Sequence, residues 1–356
     1  MNAKKLWSLA LVFVLVLTAF GGCGGGGGAS SSSAPAPASS AASTSTPAST
    51  PPTSEDTIVI KLATVQNEAH PYAIMSDIIK ERVEEKTGGT VVVELYHNGA
   101  LGDERAILEG MQFNTISMGI TTSGSAGNFL PEVSVFEMPF LFSSEAEARA
   151  AVDGPVGQKI LEKFDTIGLK GFAFAEQGFR NLTNSKRSVT TADDMNGLKI
   201  RVMENEMAID IFNALGANAT PMAWGECMTA LQQKTIDGQE NPMNTVYTFN
   251  LYESQSYMTL TRHTYSAAVV LMSKEQYEAL PPDVQTILAD AIKESIGYER
   301  EMLDNQVAEH LQALKDKGMQ VVEDPDLQSF KDKLVDVNKK YGEKYSELLV
   351  EIESGK

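Results

Sequence analysis

The chain has 356 residues, 42% of them hydrophobic and 21% charged, with 47 acidic against 29 basic side chains and a formal net charge of -18. Length and composition fit a globular protein of about two domains. So large an acidic surplus excludes a nucleic-acid partner and disfavours anionic membrane surfaces, because both need a basic face.

The chain opens with an export pattern. Lys4 and Lys5 precede a charge-free run from Leu6 to Phe20 (LWSLALVFVLVLTAF). That run is shorter than the roughly 20 apolar residues of a membrane span and has the proportions of a signal peptide. Ala19-Phe20-Gly21-Gly22-Cys23 is similar to a bacterial lipobox, which predicts a signal over residues 1–22 and a lipid on Cys23. A cleaved soluble signal or an uncleaved anchor, with Cys23 incidental, is the alternative. From Gly24 to Ser54 the only residue types are Gly, Ala, Ser, Thr and Pro. With almost no apolar surface to offset ordering entropy, residues 23–56 read as a lipidated cysteine and a disordered tether reaching about 30 Å.

Folded structure is expected from near Thr57. Thr57 to Ala63 reads as a strand, and Pro71 to Lys86 as a helix with Ile74, Met75, Ile78, Ile79 and Val83 on one face, stopped by Gly88 and Gly89. Thr90 to Tyr96 is a second strand, and Asp103 caps a helix ending near Gln112. Further strands are predicted at Ile116 to Thr121, Leu169 to Ala175, Leu198 to Val202 and Ser266 to Met272, with helices between them. This alternation predicts an α/β architecture with largely parallel sheets. From Pro282 to about Lys317 the chain reads as one helix, spanning roughly 50 Å at 1.5 Å per residue. Such a helix either crosses between two lobes or packs in an ordinary bundle. A second helical run, Leu327 to Ile352, follows.

Enzyme signatures are missing. The sequence contains no GxxxxGK[ST], CxxC, HExxH or GxSxG, and His70, His97, His263 and His310 share no metal-ligand spacing. No metal and no cofactor are therefore expected. If Cys23 carries lipid, Cys227 is the one remaining thiol, and helical spacing packs it beside Leu231 as a small buried hydrophobe.

The stretch from Gly178 to His263 carries the candidate chemistry. Arg180 stands in Gln177-Gly178-Phe179-Arg180-Asn181, and Arg201 in Leu198-Lys199-Ile200-Arg201-Val202. Alternation puts Lys199 and Arg201 on one face of that strand, so its plain reading is a solvent-facing edge. In Asp237-Gly238-Gln239-Glu240-Asn241-Pro242, Pro242 suits a first helical position and makes Asn241 a natural N-cap. The backbone N–H groups there either hold an anion or are simply capped.

At these residues the chain resembles a known family. LKIRV (Leu198 to Val202), TPMAWGECMTAL (Thr220 to Leu231) and DGQENP (Asp237 to Pro242), with LGDERA (Leu101 to Ala106) and FEMPFLF (Phe136 to Phe142), are similar to the substrate-binding proteins of tripartite ATP-independent periplasmic (TRAP) transporters, the DctP family. The resemblance spans about residues 57–350. It implies a two-lobed, class II-like periplasmic-binding-protein fold with a long helix spanning both lobes. Lobe I would comprise 57–177 plus about 267–305, and lobe II 178–266 plus about 306–356. It implies that Arg201 forms an ion pair with a substrate carboxylate, that Asn241 helps hold it, that Arg180 lies near ligand and that Trp224 lines the cleft. Glu240 and His70 complete the candidate binding set. Where sialate-binding relatives carry an acidic residue after the third strand, this chain has Thr121 and Thr122, which counts against sialic acid.

The implied function is capture of a carboxylate-bearing organic acid, a C4-dicarboxylate or a sugar acid. The acid would be handed to small and large membrane subunits driven by an ion gradient, by a protein lipid-anchored outside the cytoplasm. The alternatives are a binding lipoprotein of an ABC importer or chemoreceptor, and an exported acid–base enzyme using Glu226 or Glu240. These call for different partners but begin from the same cleft.

Overall fold

The computed structural model describes residues 57–355. The expected signal, Cys23 and tether fall outside the described residues. In chain order the strands are β1 (Ile58–Ala63), β2 (Val91–Tyr96), β3 (Met118–Thr122), β4 (Leu169–Phe179), β5 (Asn181–Asn184), β6 (Lys199–Val202), β7 (Asn218–Pro221), β8 (Gly238–Asn241), β9 (Tyr257–Thr259), β10 (Tyr265–Ser273) and β11 (Gln320–Val322). They form two sheets, one of order β2-β1-β3-β10-β4 and one of order β11-β9-β5-β8-β6-β7.

Both sheets are mixed, which corrects the expectation of largely parallel ones. β1 runs parallel to β2 and β3, and β6 parallel to β7 and β8. β10 is antiparallel to β3 and β4, and β5 to β8 and β9. The cause is the way the chain changes sheets. No helix separates β4 from β5; a single residue, Arg180, joins them, and residues 260–264, which return from β9 to β10, contain no helix. Strands that link the lobes directly need no crossover helix and so escape the parallel rule.

Local signals set the helices that frame the site. Pro71–Lys86 has Pro71 in its first turn and His70 as N-cap. It ends before Gly88 and Gly89 at φ +60° and +82°, a region that side chains with a Cβ avoid. Glu104–Gln112 is capped by Asp103, whose Oδ1 accepts from the Ala106 N–H at 2.8 Å.

The long helix is Pro282–Asp316, 35 residues. Val284, Leu288, Ile292 and Ile296 pack with Met75 and Ile79 under the first sheet, while Leu314 packs with Cys227, Leu231 and Met258 under the second. One helix thus contributes to the cores of both lobes, and the bundle alternative falls. The distal helical run is broken into Leu327–Lys333, Val335–Lys344 and Ser346–Ser354.

Candidate ligand-binding cleft

Both sheets turn the C-terminal ends of parallel strands toward one crevice, the place where open α/β sheets hold ligands. The crevice is closed. Thr122 Oγ1 lies 3.8 Å from Met203 Sδ, and Asn128 Nδ2 donates to the Glu204 carbonyl at 2.9 Å. Gly124 permits this approach, because a Cβ there would come within 2.6 Å of Met203 Cε.

Arg201 is the centre of the site. It is paired in register with Thr220 of β7 and Gln239 of β8, so β6 is an interior strand and the solvent-facing edge reading is overturned. Lys199 is exposed as alternation requires, but Arg201 is only 4% exposed. The difference is tertiary: the segment after β7 folds over position 201, with the Met222 carbonyl accepting from Arg201 Nε at 2.9 Å and the Trp224 ring 5.5 Å from the guanidinium carbon. Among the described residues, no carboxylate forms an ion pair with Arg201. Burial pulls its pKa below the ordinary value, yet a guanidinium keeps its charge in any protein interior. Arg201, Met203 and Trp224 line one wall of a cavity whose other wall carries Glu104, Ser125 and Asn128. Glu104 is committed to the end of β3, accepting from Thr122 N at 2.8 Å, Thr122 Oγ1 at 2.7 Å and Ser125 Oγ at 2.5 Å.

Arg180 is buried too, but it is paired. Its Nε and Nη2 donate to the Glu240 carboxylate, Nη2 also reaches the Glu240 carbonyl at 2.7 Å, and Nη1 donates to Gln177 Oε1 at 2.8 Å. Four of five guanidinium hydrogens are thereby used. Burial disfavours the Glu240 charge, but Arg180 and His263, whose Nε2 lies 3.3 Å from Oε2, overcome it and hold the carboxyl at about 2. Glu240 is an ionised structural partner, with no free oxygen chemistry for an acid–base role.

The remaining candidates divide. Asn241 is the last residue of β8, opposite Asn181, and its Nδ2 donates to Gln239 Oε1 at 2.6 Å. Pro242 occupies the cap position of the helix Met243–Thr248, so the N-cap expectation for Asn241 is corrected: strand pairing with β5 claims it first. Trp224 heads the helix Trp224–Gln232, and its buried Nε1 has no hydrogen-bond partner among the described residues. His70 is fully buried as a helix cap, Nδ1 accepting from Tyr72 N at 3.2 Å and Nε2 lying 3.3 Å from Asn244 Nδ2 and 3.4 Å from Thr245 Oγ1. Burial drives its pKa to about 3, so it is neutral, and both ring nitrogens are taken by the protein. Cys227 is fully buried and burial pushes its thiol up to about 11, leaving it inert.

Sequence reasoning overlooked three polar groups. Gln66 Oε1 and Thr121 Oγ1, at the C-terminal ends of β1 and β3, and Tyr72 OH are buried without hydrogen-bond partners among the described residues. Burial pushes the Tyr72 hydroxyl well above the ordinary tyrosine range, with the charges of Glu299 and Glu104 adding to the effect. A tyrosine where the neighbouring buried helix positions are mostly small or apolar was the available signal. An unpaired buried hydroxyl costs about 1–3 kcal/mol. Tyr72→Phe is therefore expected to leave the ligand-free melting temperature unchanged or higher while weakening ligand binding; a clear drop in melting temperature would mean the hydroxyl is already satisfied.

Comparison with known proteins gives a consistent result. The family described as bacterial extracellular solute-binding protein, family 7 (DctP), matches residues 62–344. The 2,3-diketo-L-gulonate-binding periplasmic protein YiaO of Escherichia coli K12 is 33% identical over 71% of this chain and 77% of its own. Two solved structures superpose with a TM-score of 0.81: a TRAP periplasmic solute-binding protein from Polaromonas sp. JS666 bound to D-erythronate (33% identity, 83% of this chain, 98% of that one), and the sugar acid binding protein DctPAm from Advenella mimigardefordensis with galactonate (31% identity, 85% and 99%).

Proposed function

The chain belongs to the DctP family of bacterial extracellular solute-binding proteins, and from that premise we propose that it captures a hydroxylated monocarboxylate, a sugar acid, between its lobes and delivers it to a TRAP permease. Members of this family carry solutes rather than transform them. They work outside the cytoplasm. We further propose that Cys23 is lipidated and that residues 24–56 tether the folded body to the membrane within reach of the small and large permease subunits.

One observation carries the substrate reading: Arg201 is a buried guanidinium that forms no ion pair with a carboxylate among the described residues. A planar carboxylate answers it with two parallel charge-assisted hydrogen bonds. The second buried arginine of the cleft, Arg180, is already neutralised by Glu240, so a second carboxylate, as in a C4-dicarboxylate, would lack a free cation there. Trp224 Nε1, in the wall of the Arg201 cavity, is buried without a hydrogen-bond partner among the described residues, as are Gln66 Oε1, Thr121 Oγ1 and Tyr72 OH of the first lobe, and neutral groups of this kind suit hydroxyls. The relatives bound to D-erythronate and galactonate support the same class.

A thermal-shift panel tests the reading. D-erythronate, galactonate, D-glucuronate and galacturonate are set against succinate and malate. A ligand at 100 times its dissociation constant adds about 2.7 kcal/mol to the folded state, so at least one sugar acid should raise the melting temperature by several degrees. A shift with succinate or malate and none with any sugar acid would overturn the assignment.

A further inference from the structure

Glu137, in the Phe136–Phe142 stretch, is 5% exposed and takes no part in the contacts around Arg201. It faces a small cavity whose walls come from both lobes. The charged or titratable groups there are Arg180, Glu240 and His263; across from it, Met203, Met207 and Phe212 of the second lobe are apolar. Arg180 is the one permanent cation among them, and Glu240 already engages it twice. Among the described groups lining this cavity, no cation is left to form an ion pair with an ionised Glu137.

Hydrogen-bond accounting leads to the same place. Ser123 Oγ is in hydrogen-bond contact with Glu137 Oε1 and also lies 2.9 Å from the Ala267 carbonyl oxygen. Ser266 Oγ donates to the same Glu137 oxygen at 3.0 Å. A serine hydroxyl has one proton, and a carbonyl or an ionised carboxylate can only accept. Both Ser123 contacts are hydrogen bonds only when Glu137 itself carries a proton, giving it to Ser123 while Ser123 gives its own to Ala267. Burial works in the same direction against the pull of Arg180, raising the carboxyl to about 7.

The cover over Glu137 is supplied by the second lobe, through the same Met203 that meets Thr122 across the crevice. Opening the crevice withdraws that cover and lets water reach the carboxyl. We propose that closure of the crevice over its acid is coupled to uptake of one proton by Glu137. The proposal rests on the sugar-acid reading for the ligand that drives closure, but it concerns a different residue.

The sign follows from linkage. Opening relieves the burial that raises the Glu137 carboxyl to about 7 in the closed form, letting it fall back toward the ordinary glutamate value of about 4.3. Between these values closure binds a proton, so each unit of rising pH weakens ligand binding up to roughly tenfold, with a plateau on either side. A proton released on opening is the counterpart.

Isothermal titration of the parent and of Glu137→Gln with the sugar acid that gives the largest thermal shift is the test, run near pH 6 in buffers of different ionisation enthalpy. Glutamine copies the neutral acid, since its amide can donate to Ser123. The parent should take up close to one proton per ligand and lose affinity from pH 5 to 7, whereas Glu137→Gln should take up none and bind with a flat pH profile. Equal proton counts in the two proteins overturn the linkage and leave the sugar-acid reading standing. If no acid binds either protein, the sugar-acid reading falls, and the linkage is then read from ligand-free melting. Without ligand the crevice is open and the carboxyl titrates in its ordinary range, so the melting temperatures of the parent and Glu137→Gln should keep a constant difference between pH 5 and 7. A parent that declines relative to Glu137→Gln there carries a raised carboxyl before closure, which overturns the proposal.

Discussion

Arg201→Ala is expected to abolish measurable binding of the acid while leaving the ligand-free protein at least as stable as the parent. In the closed complex the guanidinium and the ligand carboxylate form a desolvated ion pair, and removing one partner of such a pair typically costs about 3–5 kcal/mol, or roughly two to three and a half decades of affinity. Arg201→Lys should fare little better. The parent side chain is held by its Nε bond to the Met222 carbonyl and by the Trp224 ring, leaving both terminal nitrogens for a carboxylate. A lysine ammonium cannot make the carbonyl bond and the two-pronged contact together. Stability behaves differently because Arg201 pairs with no carboxylate among the described residues, so truncation removes an uncompensated buried charge from the ligand-free fold. Titration calorimetry and thermal melting of the two variants check both halves. Parental affinity in Arg201→Ala would refute the assignment.

How much of this could be read from sequence depends on whether the deciding contact was local. Helix limits were legible because their causes lie within a few residues: Asp103 caps its own helix, and Gly88 and Gly89 end another. The family motifs placed Arg201 at the site, but alternation alone put it on a polar face. Lys199 obeys that pattern and Arg201 does not, because burial at position 201 is decided by the return of residues 222–224 over β6. Glu240 looked like a candidate ligand group until it met Arg180, 60 positions earlier in the chain. His70 likewise finds Asn244 and Thr245 from far along the chain. β5, β7, β8, β9 and β11 span three or four residues each, too few for a period of two to stand out from noise. Their absence from the sequence reading is also why the second sheet was expected to be more parallel than it is; in the first sheet β10 was read as a strand, but its antiparallel return beside β3 and β4 was not.

The contrast between the two cleft arginines yields the second large effect, which concerns folding. Glu240→Gln is expected to destabilise the ligand-free protein by about 3–5 kcal/mol, the usual result of leaving one member of a buried pair uncompensated. At this chain length that lowers the melting temperature by roughly 10 °C. Arg180 is 1% exposed and cannot turn to water, and the pair ties the β4–β5 junction to β8, where the chain passes between lobes. Arg180→Gln should cost a comparable amount by stranding the Glu240 carboxylate beside His263. The double replacement Arg180→Met with Glu240→Leu should cost much less than the sum of single variants truncated at each position, because no charge is then buried alone. The pH dependence has a definite sign. With its folded-state value depressed to about 2, Glu240 contributes stability that is full above the unfolded carboxylate range near 4.3 and is lost as pH falls toward 2. Acid titration of the melting temperature should therefore show a steeper decline below pH 4.5 in the parent than in Glu240→Gln. Were the single variants to melt with the parent, the Arg180–Glu240 pair would not be the structural member described, and Arg180 would return to the set of residues free to hold the acid.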